Sequence, residues 1–437
     1  MVIDIESSHS LVTNLKRIIM KALFKGISFL LLLMFLGSIQ VEAVPASNIE
    51  DYYVVNGVIK DSQTKKKLEY VTVSIPGSTT STISNSEGEF SLKVKVSADA
   101  KEMEFSHVGY LNSRIPIVKG EDLKTYYLQP NAYYLKEVIV QPELARSIVE
   151  QAIKKIDVNY SSNTNMFNCF YRETVQKGKR YIQVSEAILN LYKEPYSKGI
   201  DRDRVRIFKG RKLVSQKQKD TLAVKLMGGP YMSVLLDVVK NKDILLDKEM
   251  LSSYDYAMDE PVNLDNRPQY VISFRPAVIL PYALYFGRYY IDKETLTFTR
   301  IEFSLDLRDR DKAINQILIK KPFGLRFKPL DVNFLITYKT QNGISYMNYM
   351  RTESQFNCDW KRRLFKSKYT VLSEVVTTER DDAPKESIPY KESFKYDQTF
   401  SDKVIDFSDD DFWGGYNIIA PTESLLDGLN KLKKQYR

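Results

Sequence analysis

Between Thr297 and Leu307 the chain alternates strictly. Ile301, Phe303, Leu305 and Leu307 fall on one side, and Arg300, Glu302, Ser304 and Asp306 on the other. A period of two is the repeat of a strand with one buried face, and no helix satisfies it. The same grammar recurs around turns. Asp331 to Thr340 and Ile344 to Phe356 flank Gln341-Asn342-Gly343, and Asn-Gly between two strands is a hairpin signal because both residues tolerate positive φ. Phe167 to Val175 and Arg180 to Tyr192 flank Gln176-Lys177-Gly178, and Phe365 to Val376 supplies a further strand. With 29 Tyr and 21 Phe against 2 Trp, the aromatic content favours strands as well.

Helices are few. Pro142 opens one that runs to about Asn159, with Leu144, Ile148, Val149, Ala152, Ile153 and Ile156 at helical spacing. A second stretch, Thr221 to Lys240, is broken at Gly228-Gly229-Pro230, a candidate hinge or kink. After the break Met232, Leu235, Leu236 and Val239 make a stripe that reads as core. A last helix over about Thr422 to Lys434 places Leu425, Leu426, Leu429 and Leu432 on one face, and the polar stretch Thr378 to Asp411 reads as irregular chain on the surface. The fold class is mainly β, or α+β: a larger antiparallel-sheet domain over 141–437, preceded by a smaller all-β unit.

That smaller unit spans 52–140. Tyr53 to Ile59, Tyr70 to Ile75, Glu89 to Val94, Met103 to Ser106 and Tyr126 to Leu128 are short strands ended by turn residues, the spacing of a β-sandwich. The ordered set Gly57-x-Ile59-x-Asp61, Thr64, Leu68-x-x-Val71-x-Val73, Gly77, Gly88-x-Phe90-x-Leu92 and His107-Val108-Gly109-Tyr110 resembles the carboxypeptidase regulatory-like domain. That domain is a transthyretin-like sandwich common in exported proteins of Bacteroidetes. Leu135-Lys136-Glu137-Val138-Ile139-Val140 is similar to the strand that follows it in TonB-dependent receptors. The turn departs from the pattern, with Asn85 where Asp is commoner. The 297 residues after Val140 are also too few for a receptor plug and a 22-stranded barrel. Further on, Phe170-Tyr171-Arg172-Glu173, Ser185-Glu186-Ala187, Gly228-Gly229-Pro230, Asp359-Trp360-Lys361-Arg362 and Asp411-Phe412-Trp413 resemble recurrent stretches of proteins that carry this domain before a C-terminal region of unassigned function. The resemblance implies membership and no reaction.

Ahead of the sandwich, Lys16, Arg17, Lys21 and Lys25 precede the apolar run Gly26 to Ile39, and Val41-Glu42-Ala43 follows. A basic region, a short apolar run and an A-x-A-like end are the parts of a secretory signal. Residues 1–43 are therefore expected to be a leader cleaved after Ala43, with Met20 an alternative start. The run is shorter than the roughly 18 to 20 residues needed to span a bilayer. No Cys near Ala43 could accept a lipoprotein lipid. The chain carries +9, of which +8 remains once the leader's four Lys/Arg and three Asp/Glu are removed. For an exported protein that charge points to anionic envelope lipid and polymer rather than nucleic acid.

Scarce residues constrain the chemistry. His107 is the one histidine beyond the leader, and Cys169 and Cys358 are the two cysteines, so a His-rich catalytic zinc site cannot be assembled. No cofactor, metal or catalytic residue is expected, and the family's peptidase activity is not implied. The carboxylates Glu173, Glu186, Glu302 and Asp306 lie in strands, where they are expected to face solvent. The pairing of the cysteines is left open by their separation. Two functions fit. One is an interaction module at the periplasmic side of the outer membrane that adds Leu135, Glu137, Val138 and Val140 as a strand to an envelope protein. The other is a periplasmic carrier that holds an acyl lipid or lipoprotein in an apolar cavity of the C-terminal domain, near Gly228, Gly229 and Pro230. An apolar cavity of several hundred Å³, open to solvent, would separate them.

Overall fold

The computed structural model describes residues 51–118, 120–131, 142–220, 222–360, 366–406 and 412–436. The expected leader with its expected cleavage point at Ala43, and the candidate partner strand with Leu135, Glu137, Val138 and Val140, lie outside the described residues.

Seven strands build the N-terminal sandwich: β1 (Tyr52–Asp61), β2 (Thr72–Ser74), β3 (Ser81–Ile83), β4 (Glu89–Lys95), β5 (Glu102–Ser106), β6 (Ser113–Pro116) and β7 (Gly120–Leu128). One sheet has the order β4-β1-β7 and the other β3-β2-β5-β6, with β1 and β7 parallel and the remaining pairs antiparallel. Their facing apolar residues, among them Val55, Ile59, Val73, Phe90, Leu92 and Phe105, are buried between the two layers.

The chain then forms α1 (Pro142–Lys154) and α2 (Ile156–Asn159), followed by β8 (Asn165–Lys177), β9 (Arg180–Lys193) and β10 (Arg204–Val214). Next come β11 (Lys225–Leu226), α3 (Met232–Leu235), α4 (Lys248–Leu251), β12 (Tyr254–Leu264), β13 (Arg267–Pro276), β14 (Tyr285–Asp292) and β15 (Phe298–Leu305). The remainder is α5 (Arg310–Ile317), β16 (Leu318–Lys320), β17 (Leu325–Gln341), β18 (Ile344–Trp360), β19 (Ser367–Asp381), β20 (Ile405–Asp406) and α6 (Glu423–Lys433). Eleven of these strands form one sheet of order β12-β13-β14-β15-β17-β18-β19-β8-β9-β10-β20, while β11 and β16 pair separately. The sheet is antiparallel except at β10 and β20. Asn342 and Gly343 sit at φ 52° and 81°, as the hairpin signal requires.

Both faces of this sheet carry packed structure. On the inner face, Phe167, Cys169 and Tyr171 of β8 join Ile301 and Phe303 of β15 and the α1 residues Ala145, Ile148, Val149 and Ala152. On the outer face, Phe170, Ile188, Tyr349 and Val376 pack against Ile83 of the sandwich and against Trp413 and Ile419 of the C-terminal tail. Each such side chain, fully buried, contributes roughly 1.5–3 kcal/mol. Hydrogen bonds fix the docking. Ser81 Oγ donates to the Thr377 carbonyl at 2.8 Å, Asn348 Nδ2 to Thr72 Oγ1 at 2.9 Å, and Ser106 Oγ to Asp265 Oδ1 at 2.6 Å. Gly109, at φ 82°, brings its N–H to the Asn263 carbonyl at 2.7 Å. Residues Asp51–Arg437 form one compact unit.

The register also lines up a transverse row on the outer face. Arg288 lies opposite Glu302, Glu302 opposite Leu335, Leu335 opposite Arg351 and Arg351 opposite Glu374. The row continues through Arg172 and Glu186 to Arg211. Opposite charges directly across strands stabilise by roughly 0.2–1 kcal/mol each.

Two expectations need correction. The stretch Thr378 to Asp411 is not irregular surface chain throughout, since β19 runs to Asp381 and Phe394, Phe400 and Val404 are buried in the main core. Helix over Thr221 to Lys240 is confined to the four residues of α3, because the chain before Gly228 runs extended to pair with β16. Met232, Leu236 and Val239 still reach the core, through turns rather than through one helical face. The strands β10 and β12–β14 were absent from the sequence reading. Pro261 sits at a bulge in the edge strand β12, and Gly210 and Gly287 interrupt the apolar pattern of β10 and β14.

His107 sits at the junction of sandwich and sheet, its ring 5.3 Å from that of Tyr110. Burial, and secondarily the Arg300 guanidinium, depress its pKa to about 4. In the unfolded chain it titrates near 6.5, so between those pH values the unfolded state binds a proton that the folded state refuses. Stability is therefore lost as pH falls through this window, by about 2–3 kcal/mol from this group. Urea unfolding at a series of pH values should show a flatter acid limb for His107→Gln than for the wild type.

Candidate functional site: a cavity on the inner face

Along β8 the odd-numbered residues from Phe167 to Val175 point inward, and this phase carries Glu173 inward too. Its neighbours across the sheet on β19 and β18 are Ser373 and then Thr352. This short polar row separates two apolar clusters. One is the main inner core, and the other gathers Val175, Ile182, Val224, Phe327, Phe356 and Tyr369. Small polar side chains cannot fill the space between them, and a cavity of about 670 Å³ opens there, within the size range of small-ligand sites.

Segment 222–232 covers it. Leu222, Val224, Leu226 and Met232 contribute apolar wall, Phe400 closes a second side, and Lys225, Lys320 and Lys321 add basic lining. The Gly228-Gly229 pair lies in this wall. Gly229 takes φ 78°, and a Cβ there would come within 3.1 Å of the Phe394 ring, so the turn is fixed by packing and by a conformation that only glycine adopts cheaply. At Gly228 a Cβ would meet open space. Pro230 follows, its carbonyl accepting from Ser233 Oγ at 2.7 Å.

Glu173 is the one acid of the polar row. Tyr171 Oη donates to its Oε2 at 3.0 Å, and the Gly229 backbone N–H donates as well. Burial pushes its carboxyl above the usual range, with those two hydrogen bonds opposing the shift. The other acid in the lining, Asp220, is engaged by Arg180 at 2.6 Å and by Ser215 Oγ at 2.8 Å.

The remaining carboxylates do not converge on this site. Glu186 is buried on the opposite face, which corrects the expectation that it faces solvent, and Glu302 lies five strands away from it in the outer row. Five spacings of about 4.8 Å put roughly 24 Å between them. A glycosidase pair needs roughly 5–10 Å. Asp306 is held by Arg308 at 2.6 Å. Cys169 and Cys358 are both free and buried, in different clusters, and burial pushes each thiol up to about 12, which leaves them protonated and poorly nucleophilic. Among the described residues no group of three or more His, Cys, Asp and Glu could hold a metal.

One buried constellation escaped the sequence reading. Asp203, which stands in the alternating run Asp201-Arg202-Asp203-Arg204, is fully buried with Lys193 and Asp237, and Lys240 is nearly so. Lys193 Nζ lies 2.6 Å from Asp237, which also accepts from Tyr196 and Tyr338 hydroxyls at 2.8 Å each. Lys240 donates to Asp203, and burial together with Lys193 lowers its pKa to about 8. The four charges cancel in pairs away from the cavity lining, and they hold the chain between β9 and α4 on the core.

Two substitutions test this wall. Gly229→Ala should cost roughly 1–3 kcal/mol in urea unfolding, whereas Gly228→Ala should lie within about 0.5 kcal/mol of wild type. Because the folded state raises the Glu173 pKa, folding binds protons as Glu173 titrates, and stability is lost as pH rises through that range. Glu173→Gln should therefore exceed wild type in stability at neutral pH, and the difference should vanish below about pH 4, where both states are protonated.

Residues 55–140 match the family model described as CarboxypepD_reg-like domain, which covers the sandwich and the stretch after it. No curated protein matches the chain. Among solved structures, a DUF1329 family protein from Desulfovibrio piger ATCC 29098 is similar at 12% identity, over 56% of this chain and 95% of that one. The TM-score of that superposition is 0.24, too low to carry an argument. The N-terminal sandwich is thus similar to the CarboxypepD_reg-like domain, and it stands before an eleven-stranded sheet with a cavity on its inner face.

Proposed function

We propose that this chain is an exported, non-catalytic envelope protein that carries an acyl-type ligand in the inner-face cavity. The observation that carries the reading is the cavity itself: about 670 Å³, lined by Val175, Ile182, Val224, Leu226, Met232 and Phe400, beside Gly228 and Gly229. A solid core at this place would have removed the idea. Lys225, Lys320 and Lys321 in the lining suit an anionic head group on an apolar chain. The basic and apolar leader supports export to the periplasm. The alternative, strand addition of Leu135–Val140 to an outer-membrane protein, is supported by sequence likeness alone.

Native mass spectrometry of the protein purified gently from its own envelope tests the proposal. A discrete mass excess of acyl-lipid size, lost on delipidation, is expected; a bare mass throughout would contradict it. Ala223→Trp projects a large side chain from the cavity wall. It should abolish the mass excess and weaken binding of a fluorescent fatty acid at least about tenfold while the protein stays folded.

A further inference from the structure

Beside the cavity, the loop joining β16 to β17 carries Phe323, 99% exposed. Ile319, Met227 and Trp360 are exposed as well, at 43%, 44% and 37%. These residues share one corner of the molecule. Met227 N–H donates to the Ile317 carbonyl, and Trp360 lies opposite Leu325, two residues after Phe323. Solvent-facing Phe and Trp on adjacent chain ends cost free energy in water and serve where one end of the ring meets an apolar phase. The charge around them has one dominant sign. Lys320, Lys321, Arg326 and Lys328 flank Phe323 in sequence, Lys225 pairs across from Lys320, and Asp359 lies opposite Arg326. After Trp360 the sequence continues Lys361-Arg362-Arg363.

We propose that this corner docks on an anionic lipid bilayer, with Phe323 inserted at the level of the head groups and the lysines on the lipid phosphates. Aromatic rings settle in the interfacial zone, and each basic side chain near an anionic surface adds about fivefold to partitioning at moderate ionic strength. Lys320, Lys321 and Pro322 also line the cavity, so the docked face and the cavity mouth are continuous. Docking stands apart from the carrier reading, since a bilayer-bound protein with an empty cavity would satisfy it.

The chain has two tryptophans, and Trp413 is buried in the sandwich interface, so Trp360 is the reporter of this corner. The test is co-sedimentation of the purified protein with phosphatidylglycerol-containing and with pure phosphatidylcholine vesicles, together with quenching of tryptophan emission by brominated lipid. Binding to the anionic vesicles alone is expected, weakened at least about tenfold at about 0.5 M salt, with emission quenched in wild type and unquenched in Trp360→Phe. Phe323→Ser and the double variant Lys320→Glu/Lys321→Glu should each lose about tenfold or more in partitioning. Both should keep the wild-type thermal transition, and Phe323→Ser, which lies outside the cavity lining, should also keep the wild-type affinity for a fluorescent fatty acid. No partitioning of wild type, equal partitioning of Phe323→Ser, or partitioning without quenching of Trp360 would each overturn the proposal. Loss of fatty-acid binding with partitioning intact would fault the carrier reading alone.

Discussion

One buried carboxylate anchors the C-terminal tail on the outer face of the large sheet. Glu186, on β9, receives Arg172 Nε at 2.8 Å on one oxygen and Arg211 Nε at 3.1 Å on the other, and all three side chains are buried. Arg172 also donates to the Ile419 carbonyl at 2.8 Å, and the Arg211 guanidinium lies 4.9 Å from the Trp413 ring. Such a triad adds little net stability over a well-packed apolar set, but removing one partner strands the others and costs roughly 3–5 kcal/mol. Its role is therefore specification. It sets the register in which the C-terminal tail crosses the sheet.

The tail bonds the sandwich in turn, beside the direct contacts that Thr72, Ser81 and Ser106 make with the sheet domain. Asn417 accepts from the Lys93 N–H at 2.7 Å and returns a bond to its carbonyl at 2.9 Å, and the Ile418 carbonyl accepts from Thr82 Oγ1 at 3.0 Å. The tail is thus a strap between sheet and sandwich, and it fills the outer face around Phe170, Ile188 and Tyr349, while farther along that face a polar cavity of about 770 Å³ opens beside Arg288, Glu302, Asn333 and Arg351. The inner face leaves space of a more apolar kind. The apolar clusters there are separated by Thr352, Ser373 and Glu173, and the covering segment 222–232 is held by a two-stranded pairing and a glycine turn rather than by a long helix. Pairing of that limited extent is the kind of element that opens locally at low cost.

Much of this was legible in the sequence. The hairpins of β8–β9 and β17–β18 were readable because alternation and turn chemistry agreed, and α6 because Thr422 caps it by accepting the Leu425 N–H at 3.2 Å. The sandwich was readable from its ordered motif. What failed has a physical cause. The Pro261 bulge in β12 and the glycines Gly210 and Gly287 interrupt the patterns of β10, β12 and β14, so these strands lose the contrast that marks a strand. Charge misled as well: Glu186 and Asp203 look solvated until their partners are known, and those partners come from other strands and loops. The inward phase of Glu173 was available, since it shares parity with Phe167, Cys169, Tyr171 and Val175. That it marks a cavity needed the register of β18 and β19 beside it.

Methyl NMR of the methionines tests the central claim, occupancy of the inner-face cavity by an acyl chain, most directly. Met227 and Met232 line that cavity, while Met103 lies in the sandwich core and Met347 and Met350 in the main core. Titration with a spin-labelled fatty acid should broaden the Met227 and Met232 methyl signals first and leave Met103 unchanged. Broadening spread evenly over exposed methionines, or none at Met232, would contradict the account.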